Sequence, residues 1–240
     1  MKIAYFDCFW GMSGDMFLAS LVDAGLDFYL LKKELKTAGF PDFSIDKRKI
    51  KRGGIPATQI IIKAKRKKRF SFLEFKEIIE NSHLPKEIKK PSLSTFSDLA
   101  EAEKKVHGEK GKDFSFAQLG EIDTLIDIVG AHLALHLLNI KRVYFSRIRL
   151  ARGGFFEHGK VKLPLPGPAV LRLLRNIPLE FVEEPYEFVT PTGAALIKNL
   201  FSGDTAQLSN FKINSVGYGA GSISFAKQTN LLRVILGEGA

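Results

Sequence analysis

The chain has 240 residues, 45% of them hydrophobic, which is enough for a substantial core without a metal or disulfide bonds to stabilise it. A single cysteine, Cys8, excludes a disulfide framework and a four-cysteine zinc site, and no apolar run reaches the roughly 18 residues that cross a bilayer, so we expect a cytoplasmic protein with no membrane partner. The formal charge of +10 is local, because eleven Lys or Arg and no acidic residue lie between Lys47 and Arg69.

The N-terminal segment predicts a strand, a turn and a helix. Residues 2–6 have the pattern of a short strand that ends at Asp7, and Ser13 suits the N-cap of a helix with Asp15 in its first turn. A carboxylate at a strand end and another at a helix start are typical of sites that meet a cation or ligand, so the two could share one site. The alternative is that Asp7 caps the turn and Asp15 offsets the helix dipole.

A basic hairpin follows a second helix at about 27–37. Residues 43–51 and 57–65 predict two strands joined by a turn with Gly53 and Gly54, and with the run that follows they form the basic hairpin, residues 43–69. Such a patch could bind nucleic acid, a membrane surface or a small phosphorylated ligand, or be a solvated hairpin with no ligand.

Helices are predicted near 72–79 and 92–107, and a longer one at 119–138 is the most informative segment. Asp123 and Asp127 share a narrow stripe of the long helix, and apolar side chains fill most of the remaining circumference, which predicts a buried helix. Two like charges four residues apart need a cation, a basic side chain or ligand donors to compensate them. We favour a functional site here over a structural ion pair.

Two pairs of histidines are potential ligands. His132 and His136 have the spacing of a metal-binding pair but project opposite the aspartates, so packing against a neighbour is the expected role. His107 and His158 each precede a glycine and are expected in loops, where backbone can approach a ligand closely.

The C-terminal part continues the irregular alternation of strands and helices. Strands are predicted at 142–150, at 161–165, through Phe188, and around Asn214 and Leu231, and helices at 169–175 and 191–200. A mixed α/β (α+β) fold follows, as one unit over residues 1–240. The last of these helices has Thr190 as its cap, followed by Pro191, Thr192 and Gly193, and free N–H groups there suit a phosphate. Tight turning is the default role of the glycines in VGYGAG, and close ligand approach is the alternative.

Six segments in order resemble one family, the LarC nickel-insertion proteins, over the whole length of the chain. They are YFDCFWGMSGDM at 5–16, LAEAEKKVHG at 99–108, DTLIDIVGA at 123–131, HGKVKLPLPGPA at 158–169, FVTPTGAA at 188–195, and SVGYGAG at 215–221 with NLLRVILGE at 230–238. The resemblance implies an anionic substrate, a pyridinium mononucleotide with two thiocarboxylates, into which nickel is placed with formation of a nickel–carbon bond. It also implies a lyase, a nickel chelatase or cyclometallase, that consumes CTP with a divalent cation.

The same resemblance implies roles for the residues that match the motifs. The expected catalytic residues are Asp7, Asp15, His107 and His158. The expected metal ligands are Asp123, Asp127, His107 and His158, and the expected cofactor-binding residues are Ser13, Thr190, Thr192 and Gly193.

Two departures from the family pattern bear on activity. Ser115, Phe116, Ala117 and Gln118 stand where relatives typically read His-Phe-His-Glu, and Lys-Arg-Lys-Lys-Arg at 65–69 replaces a histidine-containing segment. The chain also ends before the C-terminal domain that the family associates with CTP, so a separate domain is a possible partner, as is a second copy of the chain. A diverged paralogue that binds without catalysis and a nucleic-acid-binding module are the two alternatives.

Overall fold

The chain folds as a mixed α/β protein in which helices pack on a central sheet. The computed structural model describes residues 1–108, 119–158, 161–203, 208, 210–225 and 228–239, with His158 and Val161 described by their backbone alone. In these segments the strands are β1 (Lys2–Asp7), β2 (Phe43–Arg52), β3 (Ile55–Ala64), β4 (Arg142–Phe145), β5 (Ile148–Arg152), β6 (Phe155–His158), β7 (Val161–Pro164), β8 (Leu179–Glu183), β9 (Lys212–Ala220) and β10 (Leu231–Glu238). The helices of the same segments are α1 (Gly14–Asp23), α2 (Phe28–Thr37), α3 (Phe72–Glu80), α4 (Lys86–His107), α5 (Ile122–Leu137), α6 (Pro168–Leu173) and α7 (Pro191–Leu200).

The central sheet has six strands in the order β2-β3-β9-β10-β1-β4. β1 lies between antiparallel β10 and parallel β4, and the basic hairpin, β2 and β3, joins the sheet through a parallel bridge between Thr58 and Gly219. Two small sheets, β5 with β8 and β6 with β7, lie outside it. The hairpin is therefore an extension of the main sheet, and it forms one side of the region where α1 begins.

Glycines on β9 let α1 lie directly on the strand. A Cβ atom on Gly217 would be 2.3 Å from the carbonyl oxygen of Ser20, and one on Gly219 would be 2.0 Å from that of Met16. Only glycine permits this backbone contact. Tight turning is therefore wrong for these two glycines, which lie within a strand and serve helix–sheet packing.

Buried aromatic and aliphatic side chains join the helices to the sheet. The Phe6 ring of β1 stacks on Phe17 of α1 at 4.3 Å between centroids and on Phe145 of β4 at 5.6 Å. α5 packs between α1 and α4, and twelve of its sixteen residues are buried, as its apolar circumference predicts. The predicted burial of this helix is confirmed.

A helix and a strand differ from their predicted positions. α4 begins at Lys86, six residues earlier than expected, because Ile88 is buried and extends the packing past Pro91. The strand predicted through Phe188 is wrong, since β8 ends at Glu183 and the segment that follows is irregular. Phe188 is buried beside Trp10, at 5.5 Å between ring centroids, so an apolar residue in a connecting segment gave the pattern of a strand.

None of the helices in the part of the chain that the structure describes is long and apolar enough to span a membrane.

Candidate functional site

Three helices begin at one cavity of about 520 Å³ beside the basic hairpin. α1 contributes Ser13 and Asp15, α5 contributes Asp123 and Asp127, and α7 contributes Thr190 and Thr192. The N-terminal end of each helix carries partial positive charge and N–H groups that the helix itself does not use. The structure therefore brings together six of the residues predicted for the site.

The start of α7 has the cap that the sequence predicts. The Thr190 hydroxyl accepts a hydrogen bond from the amide of Gly193 at 3.1 Å, and Pro191 occupies the first turn. A Cβ atom on Gly193 would lie 2.1 Å from the carbonyl oxygen of Met12. Gly193 therefore lets α7 meet the loop between β1 and α1, while Thr190 and Thr192 are the residues of this motif that line the cavity.

Asp15 is oriented by local hydrogen bonds at the start of α1. Its Oδ1 accepts hydrogen bonds from the Ser13 hydroxyl and, at 2.8 Å, from the amide of Met16. Burial raises the pKa of Asp15, these hydrogen bonds oppose the shift, and the charge of Asp123 adds to it. The charged form of Asp15 therefore lacks full compensation within the described part of the protein.

Asp127 lies at the closest approach of α5 to α1. Its Oδ1 is buried and has no hydrogen-bond partner among the described residues, and a Cβ atom on Gly14 would be 2.5 Å from its Oδ2. Burial raises the pKa of Asp127 well above its usual range, and the charges of Asp15 and Asp123 raise it further. A buried carboxyl oxygen without a donor is costly, and a bound cation or ligand donor would remove that cost.

The aspartates of this cavity form no ion pair within the described residues, so the structural ion pair weighed for α5 is not what the structure shows. Over the same residues there is also no group of three or more His, Cys, Asp or Glu side chains with the geometry of a complete metal site. Substrate atoms or water would have to complete the coordination of any cation bound here.

One wall of the cavity belongs to the hairpin and is basic. Arg48 Nε donates to Gln59 Oε1 at 2.7 Å, and Gln59 Nε2 donates to the carbonyl of Gly221 at 2.8 Å, which ties the guanidinium to the wall. Lys63 also lines this side. Other cations of the hairpin pair locally, Lys49 with Asp23 and Lys68 with Glu74, so the basic charge is partly neutralised away from the cavity.

His107 borders a second cavity of about 280 Å³ that adjoins the first. It is the last residue of α4, with Nε2 3.3 Å from a carboxylate oxygen of Glu103, so its expected position in a loop is wrong. His158 ends β6 opposite Val161, also within a regular element, and its side chain lies outside the description.

The histidines of α5 lie away from the aspartates, as predicted. His132 is buried, its Nε2 lies 2.9 Å from the Thr95 hydroxyl of α4, and burial lowers its pKa to about 4. Packing is confirmed for His132, whereas His136 is exposed and does not pack in that way.

Asp7 does not line either cavity. It ends β1 opposite Arg233 of β10, and the Arg233 guanidinium donates to its Oδ2. The expected single site of Asp7 and Asp15 is therefore not what the structure shows, because a cross-strand arginine binds the Asp7 carboxylate. The altered motif, Ser115, Phe116, Ala117 and Gln118, lies outside the described residues.

Glu187 is a residue that the sequence pattern did not single out. It lines both cavities, and within the described segments it has no hydrogen bond or ion pair. Burial raises the pKa of Glu187 to about 7, and the charge of Glu103 adds to the shift. A carboxyl with a pKa near neutral in a cavity is typical of functional sites. The local sequence YEFVTPTG gave no sign of it, because the segments that bury Glu187 are remote in the chain.

Comparison with known proteins gives consistent matches over nearly the whole chain. A family model described as nickel insertion protein matches residues 4–240. A relative from Syntrophobacter fumaroxidans, provisionally named a nickel insertion protein, is 39% identical over 99% of this chain and 61% of its own length. A relative from Desulfitobacterium hafniense strain DCB-2, named pyridinium-3,5-bisthiocarboxylic acid mononucleotide nickel insertion protein, is 38% identical over 99% of this chain and 59% of its own length.

The chain thus spans about three fifths of the length of these curated relatives. The same name is given to a protein of Desulfitobacterium hafniense strain Y51, which is 37% identical over 99% of this chain and 59% of its own length. No solved structure matches the chain.

Proposed function

The chain belongs to the nickel insertion protein family, and we propose that it places nickel into a pyridinium-3,5-bisthiocarboxylic acid mononucleotide during the synthesis of a nickel cofactor. Nickel is a substrate in this proposal. The ion is transferred to the two thiocarboxylate sulfurs and then bonded to a ring carbon, which makes the protein a lyase of the chelatase or cyclometallase type.

The presence of both charges in the main cavity, on different elements, is the observation that carries the proposal. Asp15, Asp123 and Asp127 line it from α1 and α5, and Arg48 and Lys63 line it from the hairpin strands β2 and β3. A ligand with a phosphate at one end and a metal-binding group at the other matches this separation of charge. In a site for a simple anion the aspartates would repel the ligand, and in a site for a simple cation the arginine would repel it.

The phosphate is assigned to the basic wall and the helix starts. Arg48 offers a guanidinium held in place through Gln59, and Thr190 and Thr192 lie at the N-terminal end of α7. Helix N-termini and arginine are the usual protein partners of phosphate. In this arrangement the pyridinium ring lies between the two walls.

Nickel is assigned to the side of the aspartates. Carboxylates bind nickel less strongly than sulfur or nitrogen ligands do, so an ion held by Asp123 and Asp127 would pass to the substrate sulfurs with a favourable free energy. His107 and His158 stay predicted ligands in this scheme. Asp7 forms an ion pair with Arg233 and takes no part in the proposed reaction.

The proposal also keeps the partners that the sequence suggests. CTP with its divalent cation is assigned to a C-terminal domain, supplied in the same protein or separately, and the reaction is placed in the cytoplasm. A homo-oligomer is compatible with the proposal and is not needed for it.

Reconstitution tests the proposal. The purified chain is mixed with the mononucleotide, nickel and CTP with magnesium, with and without a C-terminal domain from a relative, and mass spectrometry follows the nickelated product. The expected result is product with the wild type and loss of product with Asp127→Asn, together with nickel binding weakened by about tenfold or more in calorimetry.

Asp46→Asn is the matched control, because Asp46 lies on the exposed side of the hairpin and pairs with Lys32. It should leave product formation unchanged. Absence of product from the wild type under every condition contradicts the proposal.

A second candidate is a paralogue that binds without catalysing. The family resemblance implies two imidazoles and a carboxylate where this chain has Ser115, Ala117 and Gln118, and this difference favours the paralogue, since imidazole binds nickel well. It predicts that calorimetry detects binding of the mononucleotide while no nickelated product forms. The same reconstitution therefore separates the two candidates.

A further inference from the structure

Glu187 lies on the wall between the main cavity and the second cavity. Leu119 and Thr190 line both cavities with it. The side chain extends toward the second cavity, because a Cβ atom on Gly167 would be 4.0 Å from its Oε1. Because Glu187 lines the main cavity as well, a ligand bound there would lie beside this residue, with the second cavity beyond it.

Among the described residues, the surroundings of Glu187 are largely apolar and no cation pairs with it. The residues that line the second cavity with it include Phe156, Leu163 and Val170, and the described ionisable groups there are Glu103 and His107 of α4. No salt bridge or hydrogen bond joins Glu187 to another described residue. With a pKa of about 7, the group is partly ionised at neutral pH, which is the range in which a general base is most effective.

The other ionisable groups of the main cavity fit this role less well. Asp15 already accepts hydrogen bonds from the Ser13 hydroxyl and the Met16 amide, which hold its carboxylate in place at the start of α1, and Asp123 is exposed to solvent. Asp127 faces two like charges, and a cation that relieves them would occupy its oxygens. His132 lies on the far side of α5.

We infer that Glu187 is the proton acceptor for bonding of nickel to the pyridinium ring, an inference that rests on the proposed function. In this step the ring carbon–hydrogen bond breaks, its electron pair forms the bond to divalent nickel, and the proton passes to the Glu187 carboxylate. Nickel keeps its oxidation state, so no oxidant or reductant is needed. The carboxyl then returns the proton to water, which restores the base.

The test separates nickel binding from nickel–carbon bond formation. Wild type, Glu187→Gln and Glu187→Asp are compared in single-turnover reactions, and mass spectrometry distinguishes the sulfur-bound complex from the carbon-bonded product, which has lost one proton. Glu187→Gln should accumulate the sulfur-bound complex, with carbon–nickel bond formation slowed by about 100-fold or more. Binding of nickel and of the mononucleotide should stay within about twofold of wild type.

The pH dependence gives a readout that a structural role would not move. In the wild type the rate of the bond-forming step should rise with pH and level off above about pH 7, because the ionised carboxylate is the active form. This rise should disappear in Glu187→Gln. The other groups that line the two cavities, Glu103, His107, Asp15, Asp123, Asp127, Arg48 and Lys63, are the same in both proteins.

Glu183→Gln is the matched control, since Glu183 lies on β8 at the surface and pairs with Arg152. It should react as the wild type does. Wild-type bond formation in Glu187→Gln overturns the inference and leaves the proposed function intact, as does loss of substrate binding in a folded Glu187→Gln protein, which would make Glu187 a binding residue. Failure of the wild type to form any product overturns the proposed function, and the inference with it.

Discussion

The aspartates at the two ends of α1 have opposite surroundings. At the C-terminal end Asp23 accepts hydrogen bonds from Lys49 Nζ at 2.5 Å, the Thr58 hydroxyl at 2.7 Å and the amide of Tyr218 at 2.9 Å. At the N-terminal end Asp15 and Asp127 have no basic partner in the described structure. The fold thus neutralises the carboxylate of Asp23 at one end of α1. It does not neutralise the carboxylates of Asp15 and Asp127 at the other end.

The difference shows in the pKa values. Burial by itself would raise the pKa of Asp23, but the hydrogen bonds from Lys49, Thr58 and Tyr218 outweigh it and the net shift is downward. The pKa of Asp15 and that of Asp127 are both raised, chiefly by burial. A carboxylate without compensation inside a well-packed protein indicates a partner that is not part of the fold.

Removing the neutralised carboxylate should have the largest effect. Asp23→Ala leaves the Thr58 hydroxyl and the Tyr218 amide without their acceptor, which removes the side-chain hydrogen bonds that join the end of α1 to β3 and β9. We expect a loss of about 2–4 kcal/mol in the free energy of unfolding, measured by urea denaturation. Asp46→Ala removes an exposed pair and should cost less than about 1 kcal/mol. Equal losses for the two variants would contradict the comparison.

Removing the uncompensated carboxylate should act in the opposite direction and depend on pH. The folded-state pKa of Asp127 lies above its unfolded value, so its contribution to stability is present at low pH and is lost as pH rises through the folded pKa. Asp127→Asn has no such loss. It should be about 1–2 kcal/mol more stable than wild type at pH 8, with the gain vanishing near pH 4.

Asp23 gives the converse pH profile. Its folded-state pKa is lowered, so its contribution is present above the unfolded value and is lost as pH falls through the folded pKa. Urea denaturation at several pH values measures both variants in one series. A gain for Asp127→Asn that does not grow with pH would show that its carboxyl is compensated after all.

The smallest effect is expected for the lysine that pairs with Asp23. The Lys49 side chain is 73% exposed, so Lys49→Ala leaves Asp23 with two hydrogen-bond donors and access to water. The free energy of unfolding should fall by less than about 1 kcal/mol. A loss as large as that of Asp23→Ala would mean that the ion pair, and not the backbone and hydroxyl donors, holds the C-terminal end of α1.

Local sequence patterns were sufficient for the residues that the three helices bring to the site. The stripe of Asp123 and Asp127 on an apolar helix, the Thr190 cap and the carboxylate in the first turn of α1 are properties of short segments, and the structure places all of them at one cavity. The mixed α/β class follows from the same patterns. Periodicity determines which face of a helix a residue occupies, and for these residues the face determined that they line the cavity.

Tertiary contacts decided the rest. Asp7 has the same local setting as many ligand-binding carboxylates, but the strand beside β1 is β10, far along the chain, and it brings Arg233. Glu187 has no distinctive local pattern, and its pKa comes from segments that pack around it. The glycines of VGYGAG read as turn residues because a helix lying on a strand is a property of two distant segments.

The contact of α1 with β9 at Gly217 and Gly219 has a mechanical consequence. Side chains between a helix and a sheet can change rotamer and absorb a small displacement, but two backbones in direct contact have no such freedom. We therefore expect α1 and β9 to move as one rigid unit. A ligand that displaces the first turn of α1 should displace the strands of the sheet as well.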